Sequence, residues 1–167
     1  LFRSDETDFC LVLSNLLENA LEASLKTAKF RQRIDIKIYR HASNLILIQI
    51  ENAFDGKIQQ KHGIFLSSKR NENGIGIQSV RHIVEKTGGG CDFTYDNGIF
   101  TAKIMLAEAG DLEKIKEYLY NVTQKIPTMN MHFCENQVID SVISYYCTLA
   151  ERNTIPFHVQ IDLPAQI

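Results

Sequence analysis

The chain has no basic block. Eighteen lysines and arginines stand against 20 aspartates and glutamates, for a formal charge of −2 over 167 residues. Nothing in that balance favours nucleic acid as a partner. It has no CxxC pair either. Cys10, Cys91, Cys134 and Cys147 are dispersed, and Cys10 and Cys147 fall on or beside apolar faces. That argues against zinc and a disulfide framework, and for buried thiols in a reducing compartment. No apolar run approaches the length of a membrane span, and no signal peptide is visible. The five histidines, His41, His62, His82, His132 and His158, lack metal-ligand spacing. No Ser-His-Asp or Cys-His arrangement can be assembled from them. What is present, 44% apolar and 23% charged residues, is an ordinary globular composition with material for a core. The length fits one domain, or one with a small appendage.

The most informative stretch is 8–24, DFCLVLSNLLENALEAS. At helical period, Phe9, Leu13, Leu16, Leu17, Ala20 and Leu21 form an apolar stripe, and Asn15, Glu18, Asn19 and Glu22 a polar one. Asn15 and Asn19 are four apart and stack on one face. Asn is a weak helix former, so two of them are a poor finish for a solvated surface. They suit a hydrated metal ion and polar ligand atoms. A solvated face unusually rich in Asn is the plain alternative.

Asp5 or Thr7 is positioned to cap this helix. After it, 26–33 is a basic connector. Ile34, Ile36 and Ile38 alternate with polar residues, and 45–50 is almost continuously apolar. A hairpin of roughly 33–41 with 44–52 is expected, its second strand central in the sheet. The polar, Gly-punctuated stretch from Glu51 to Gly74 is too long for an ordinary connection and reads as a lid. Ile77, Val80, Ile83 and Val84 then mark a helix ended by Gly88-Gly89-Gly90. Asp96-Asn97-Gly98 between two alternating runs is a hairpin signal. Leu112, Ile115, Leu119, Val122 and Ile126 repeat as an a/d seam, stopped by Pro127. Residues 135–149 form a further amphipathic helix, and Phe157, Val159, Ile161 and Leu163 alternate as a last strand. The order α-β-β-α-β-β-α-α-β predicts a two-layer α/β sandwich with helices on one face of the sheet.

Gly74-Ile75-Gly76 opens a helix just after a lysine-bearing loop. Glycines let backbone amides approach a ligand, and a helix start offers unpaired N–H groups to phosphate. Helix capping accounts for the same glycines equally well. The segment is neither a P-loop nor a Rossmann fingerprint. Its weight comes from company: the Asn pair upstream and a lid carrying Lys69 and Arg70. Asn52 closes a strand just before Asp55-Gly56, where a carboxamide could meet an adenine edge and Gly56 would permit close approach. A plain turn is the alternative there.

In spacing and order these segments resemble the ATP-binding catalytic domain of sensor histidine kinases. That Bergerat-type fold is shared with type II topoisomerases, heat-shock chaperones and mismatch-repair ATPases. LVLSNLLENALEAS looks like the N box, IENAFDG stands where the first glycine box would be, and NGIGIQSVRHIVEKTGG looks like the second. SSK, ending at Lys69, resembles the lid segment that meets the phosphates. The resemblance implies ATP and Mg²⁺ as cofactors, with Asn19 binding the metal and Asn15 supporting the phosphate and metal shell. It implies Asn52 at the adenine, Gly74 and Gly76 against the phosphates, and Lys69 as a phosphate contact. Asn52 in place of the usual Asp, and Phe54 in place of a glycine, look like the peptide-pheromone (quorum-sensing) subfamily. Hydrolysing relatives carry a Glu base where Asn15 stands, so phosphotransfer to a histidine fits better than hydrolysis.

The rest of the chain resembles the same subfamily in a different order. FCENQVIDSVISYYCTLAERNTIPFHVQIDLP there precedes the N box, and DLEKIKEYLYNVTQKIP resembles the last dimerisation helix. Residues 1–106 and 129–167 therefore read as one permuted catalytic domain, with 107–128 the junction and entering, projecting helix. Two truncated neighbouring copies are the alternative. No segment resembles the phosphoacceptor-histidine helix, so autophosphorylation in isolation is not expected. The implied partners are that helix, a downstream response regulator, and a second copy through 111–126. The implied place is the cytoplasmic part of a membrane-anchored bacterial sensor. A noncatalytic ATP-gated module and an anti-sigma-type serine kinase share the boxes, though the tail of this chain argues against the latter.

Overall fold

The computed structural model describes residues 6–42, 45–56, 60–61, 64–65, 75–107 and 137–162. In chain order the elements are α1 (Glu6–Leu25), a 3-10 turn (Lys29–Arg31), β1 (Ile34–Ala42), β2 (Leu45–Ala53), β3 (Gln60–Lys61), β4 (Ile64–Phe65), α2 (Ile75–Lys86), β5 (Gly90–Asp96), β6 (Ile99–Ala107), α3 (Gln137–Arg152) and β7 (Phe157–Asp162). Five strands form one sheet in the order β5-β6-β2-β1-β7. Every neighbouring pair is antiparallel except β1 with β7, which is parallel from Ile34↔Phe157 to Tyr39↔Asp162.

Period-2 alternation supplies the buried face of that sheet. Ile34, Ile36 and Ile38, then Ile46, Ile48 and Ile50, then Ala102, Ile104 and Leu106 are all buried. On them rest Leu13, Leu16, Leu17 and Leu21 of α1, Val80, Ile83 and Val84 of α2, and Ile139, Val142 and Ile143 of α3. The domain is thus a two-layer α/β sandwich with a mixed, mostly antiparallel sheet and helices on one face. The Asn-Gly hairpin has both turn residues at positive φ, Asn97 at 49° and Gly98 at 76°. That geometry matches the right-handed twist of the flanking strands.

The tail joins the same sheet. β7 extends it beyond β1, and α3 packs beside α1. Lys29 Nζ donates to the Asn153 carbonyl, and the Ile34 N–H donates to the Pro156 carbonyl at 2.9 Å. The two helix-to-strand connections therefore meet at one end of the sheet. Inside the 51–74 stretch, expected to be a lid, lies a small ladder, Gln60↔Phe65 and Lys61↔Ile64, whose second strand is adjacent to α2. That second strand is Ile64-Phe65, two adjacent apolar residues in an otherwise polar stretch. The a/d seam 112–126 and the junction 107–128 beyond Ala107 lie outside the described residues, as do both extremities of the chain. Among the described residues no helix is long and apolar enough to cross a membrane.

Candidate functional site

α1 runs into β1 and α2 into β5, which is antiparallel to β6. The two helices consequently lie antiparallel on the sheet, the start of α2 beside the C-terminal half of α1. An ion pair from Lys86 Nζ to Asp8 Oδ2 at 3.4 Å ties their opposite ends. At the near end Asn19 meets Gly76. A Cβ on Gly76 would lie 3.0 Å from Asn19 Nδ2 and 3.4 Å from Oδ1. The glycine is thus what lets the first turn of α2 close over the carboxamide. Asn19 Nδ2 is buried and has no hydrogen-bond partner. A buried donor left unsatisfied is destabilising, and here it is aimed at the glycine-opened helix start. Asn15 stands one turn earlier on α1, half-buried.

The polar stripe of α1 is divided between two neighbours. Tyr146 of α3 is pushed up to about 12 by burial, with further rises from Glu18, Tyr145 and Glu22. Those carboxylates therefore belong to the flank of α1 that faces α3, whereas Asn19 belongs to the flank that faces α2.

Asn52 enters from below. It continues the row Ile46, Ile48, Ile50 on the helix-facing side of β2 and is only 3% exposed. A polar residue at the end of an apolar row needs a partner. Its Nδ2 donates to the Ala53 carbonyl at 2.9 Å. With that hydrogen committed, Oδ1 is the atom suited to accept from a ligand amino group. Phe54 is buried and turned to the hairpin, its N–H donating to the Gly98 carbonyl at 3.0 Å and its ring edge-on to Tyr95. Gly56 follows at φ +80° with open space around it, at the exit from β2. Lys69 and Gly74 lie outside the described residues.

One neighbour was not singled out by the sequence pattern. Phe100 sits directly opposite Asn52 on β6 and so projects from the same face. Its ring stacks on Phe93 at 6.2 Å, and Arg81 of α2 lies over Phe93 at 5.3 Å. Read alone, Phe100 was one apolar residue in an alternating run; only the pairing puts an aromatic wall beside the carboxamide.

The arrangement offers a hard oxygen donor at Asn19, a helix start opened by Gly76, and an acceptor with an aromatic neighbour at Asn52. That donor set fits a nucleoside polyphosphate with a divalent cation. Among the described residues no cluster of His, Cys, Asp and Glu could hold a metal ion, so a cation here would rely on the carboxamides and the phosphates. Residues 5–107 match the family model described as the GHKL domain. No curated protein matches the chain.

Proposed function

The chain belongs to the GHKL family of ATP-binding domains, and from that premise we propose that it donates the γ-phosphoryl group of Mg-ATP to a histidine on a separate dimerisation and phosphoacceptor segment of a two-component sensor kinase. The observation that carries this reading is on α1. Asn19 presents an unanswered buried Nδ2 at Gly76, and Asn15 stands one turn before it. A carboxylate at Asn15 could take a proton from water, and a carboxamide cannot. The site is suited to holding ATP for an outside nucleophile rather than to hydrolysing it.

Asn19 Oδ1 would hold Mg²⁺, supported by Asn15, and the bound ion would neutralise charge on the phosphate chain. Asn52 Oδ1 would accept from the adenine amino group, with Phe100 opposite it on β6. Gly76 keeps the start of α2 open, so that its free N–H groups can donate to phosphate oxygens. Gly56 allows the chain to approach the base, and Lys69 and Gly74 are assigned to the phosphates. On this reading the domain works on the cytoplasmic side of a membrane-anchored sensor of the peptide-pheromone type, upstream of a response regulator. A second copy associates through 111–126.

The same reading takes 1–106 and 129–167 as one domain in permuted order. The parallel β7–β1 pair and the α3–α1 contact support it, because a parallel pair is normally joined by a helix crossing between its strands. In the order β7, α1, β1 that helix is α1.

The experiment is to mix the protein, radiolabelled ATP and a phosphoacceptor segment from a pheromone-type kinase. An acid-labile, base-stable label on the acceptor is expected. Release of inorganic phosphate alone would point to a hydrolase, and ATP binding with no transfer to a noncatalytic module.

A further inference from the structure

The connector 26–33 between α1 and β1 contains four cations, Lys26, Lys29, Arg31 and Arg33, and no acid. At its centre Phe30 is 88% exposed, the most exposed large apolar side chain among the described residues. It is held there. On one side Lys29 Nζ donates to the Asn153 carbonyl in the α3–β7 connection. On the other, Arg31 Nη2 donates to the Asn97 carbonyl at 3.5 Å, and its guanidinium lies so close over Gly98 that a Cβ there would overlap it. Behind the turn, Gln32 Nε2 donates to the Thr27 carbonyl at 3.3 Å, and Ser24 Oγ accepts from the Arg33 N–H at 3.2 Å. Phe30 is the residue between two anchored neighbours, on a turn that is tied from both flanks and from below.

The charges divide in a telling way. Arg33 is neutralised by Asp35 at 3.1 Å and Glu51 at 3.5 Å. Lys29 and Arg31 meet backbone carbonyls instead, so among the described residues their charges face no carboxylate. Two uncompensated cations thus flank one outward phenylalanine. Leu25 and Tyr95, 43% and 51% exposed, lie at the same end of the sheet. That end also carries Asn52 and the start of α2.

We propose that this turn is a docking point for an acidic amphipathic protein helix, whose apolar stripe covers Phe30 and whose carboxylates meet Lys29 and Arg31. A pre-set aromatic anchor loses little conformational freedom on binding. Aromatic and arginine side chains at the centre of a contact carry most of its affinity. Nucleic acid fits less well, because phosphate-backbone binding draws on many cations and single strands on several stacked rings. Here there are two cations and one ring, on a chain of charge −2. The proposal stands apart from the phosphotransfer reading, since the ties that hold this turn run to Asn153, Asn97, Thr27 and Ser24, none of which is assigned to ATP.

The test uses two synthetic helical peptides with leucine at a and d positions, one carrying glutamate elsewhere and one lysine, with fluorescence anisotropy as readout. The glutamate peptide should bind and weaken as salt is raised, and the lysine peptide should not bind. Phe30→Ser should weaken the glutamate peptide by at least about tenfold while leaving the melting temperature and Mg-ATP affinity unchanged. Equal binding of the two peptides, or an unaltered affinity in Phe30→Ser, would overturn the proposal. So would tighter binding of a single-stranded DNA oligomer, or a change confined to self-association in sedimentation.

Discussion

α1 and α3 do the same architectural job with opposite treatment of their polar atoms. Each lies on the same face of the sheet, each turns into a strand, and those strands, β1 and β7, are parallel neighbours. In α3 the Thr148 hydroxyl is answered within the helix, its Oγ1 donating to the Ser144 carbonyl at 2.9 Å. In α1 the Asn19 carboxamide keeps a buried Nδ2 without a partner. Both helices bury leucines, isoleucines or valines beneath them, so the difference is not one of packing. A helix that only has to close a core closes its hydrogen bonds too. One that leaves a buried donor open carries a local destabilisation that a ligand can relieve.

Substitutions should separate the two helices. The largest effect is expected from Ile143→Ala in α3, where a fully buried side chain leaves a cavity. It should lower stability by about 2–5 kcal/mol in urea melts, with Mg-ATP affinity in the folded fraction unchanged. Asn19→Ala should do the reverse. Calorimetry in Mg²⁺ should show at least about a tenfold loss of ATP affinity, on the order of 1.4 kcal/mol. Stability should be unchanged or slightly raised, because no native hydrogen bond of Nδ2 is removed. Equal ATP affinity with and without Asn19 would erase the contrast.

Tyr146 tests the border between the helices through pH. Burial and the nearby Glu18 raise the folded pKa from its usual value near 10 to about 12. The unfolded chain therefore releases this proton first as pH rises. The native state then holds more protons, so the stability contribution is full below about pH 10 and falls between pH 10 and 12, by at most about 1.4 kcal/mol per pH unit. Tyr146→Phe should flatten that decline in alkaline melts, and an unchanged slope would place its cause elsewhere. Gly76→Ala should act more gently. Alanine favours the helix by about 1 kcal/mol over glycine, yet its Cβ crowds Asn19 Nδ2 at 3.0 Å. Stability should hold or rise while ATP affinity falls several-fold; a rise in both would mean the close approach has no role. The smallest effect is expected from covalent rearrangement. A chain with Ile167 joined to Leu1 and opened at 108–110 should keep its melting temperature and ATP affinity if α3–β7 and α1–β1 are consecutive units of one domain. Loss of folding would favour two truncated copies.

How far the site could be read in advance depended on distance along the chain. Asn15 and Asn19 share a face by helical spacing alone, and Asn52 ends a strand by its place after the apolar run. That Gly76 touches Asn19, and that Phe100 flanks Asn52, required the α1–α2 packing and the β2–β6 register. The ladder of β3 with β4 escaped because two-residue strands leave no periodicity to detect. The anchoring of Phe30 escaped for another reason: its straps come from Asn97 and Asn153, each more than 60 residues away.

By itself the sequence determined the elements and their buried faces, from the 3.6-residue period of α1, α2 and α3 to the Asn97-Gly98 turn. Side-chain direction and turn conformation are local properties, set within a few residues. Only the tertiary structure decided that β7 lies parallel beside β1 across more than a hundred residues. It alone divided the polar stripe of α1 between Asn19 facing α2 and Glu18 facing α3. Closing a longer loop adds little entropy loss per added residue, so chain separation does not choose among distant partners. That choice falls to the joint burial of complementary apolar faces, which exists only once the whole sheet and its helices are assembled.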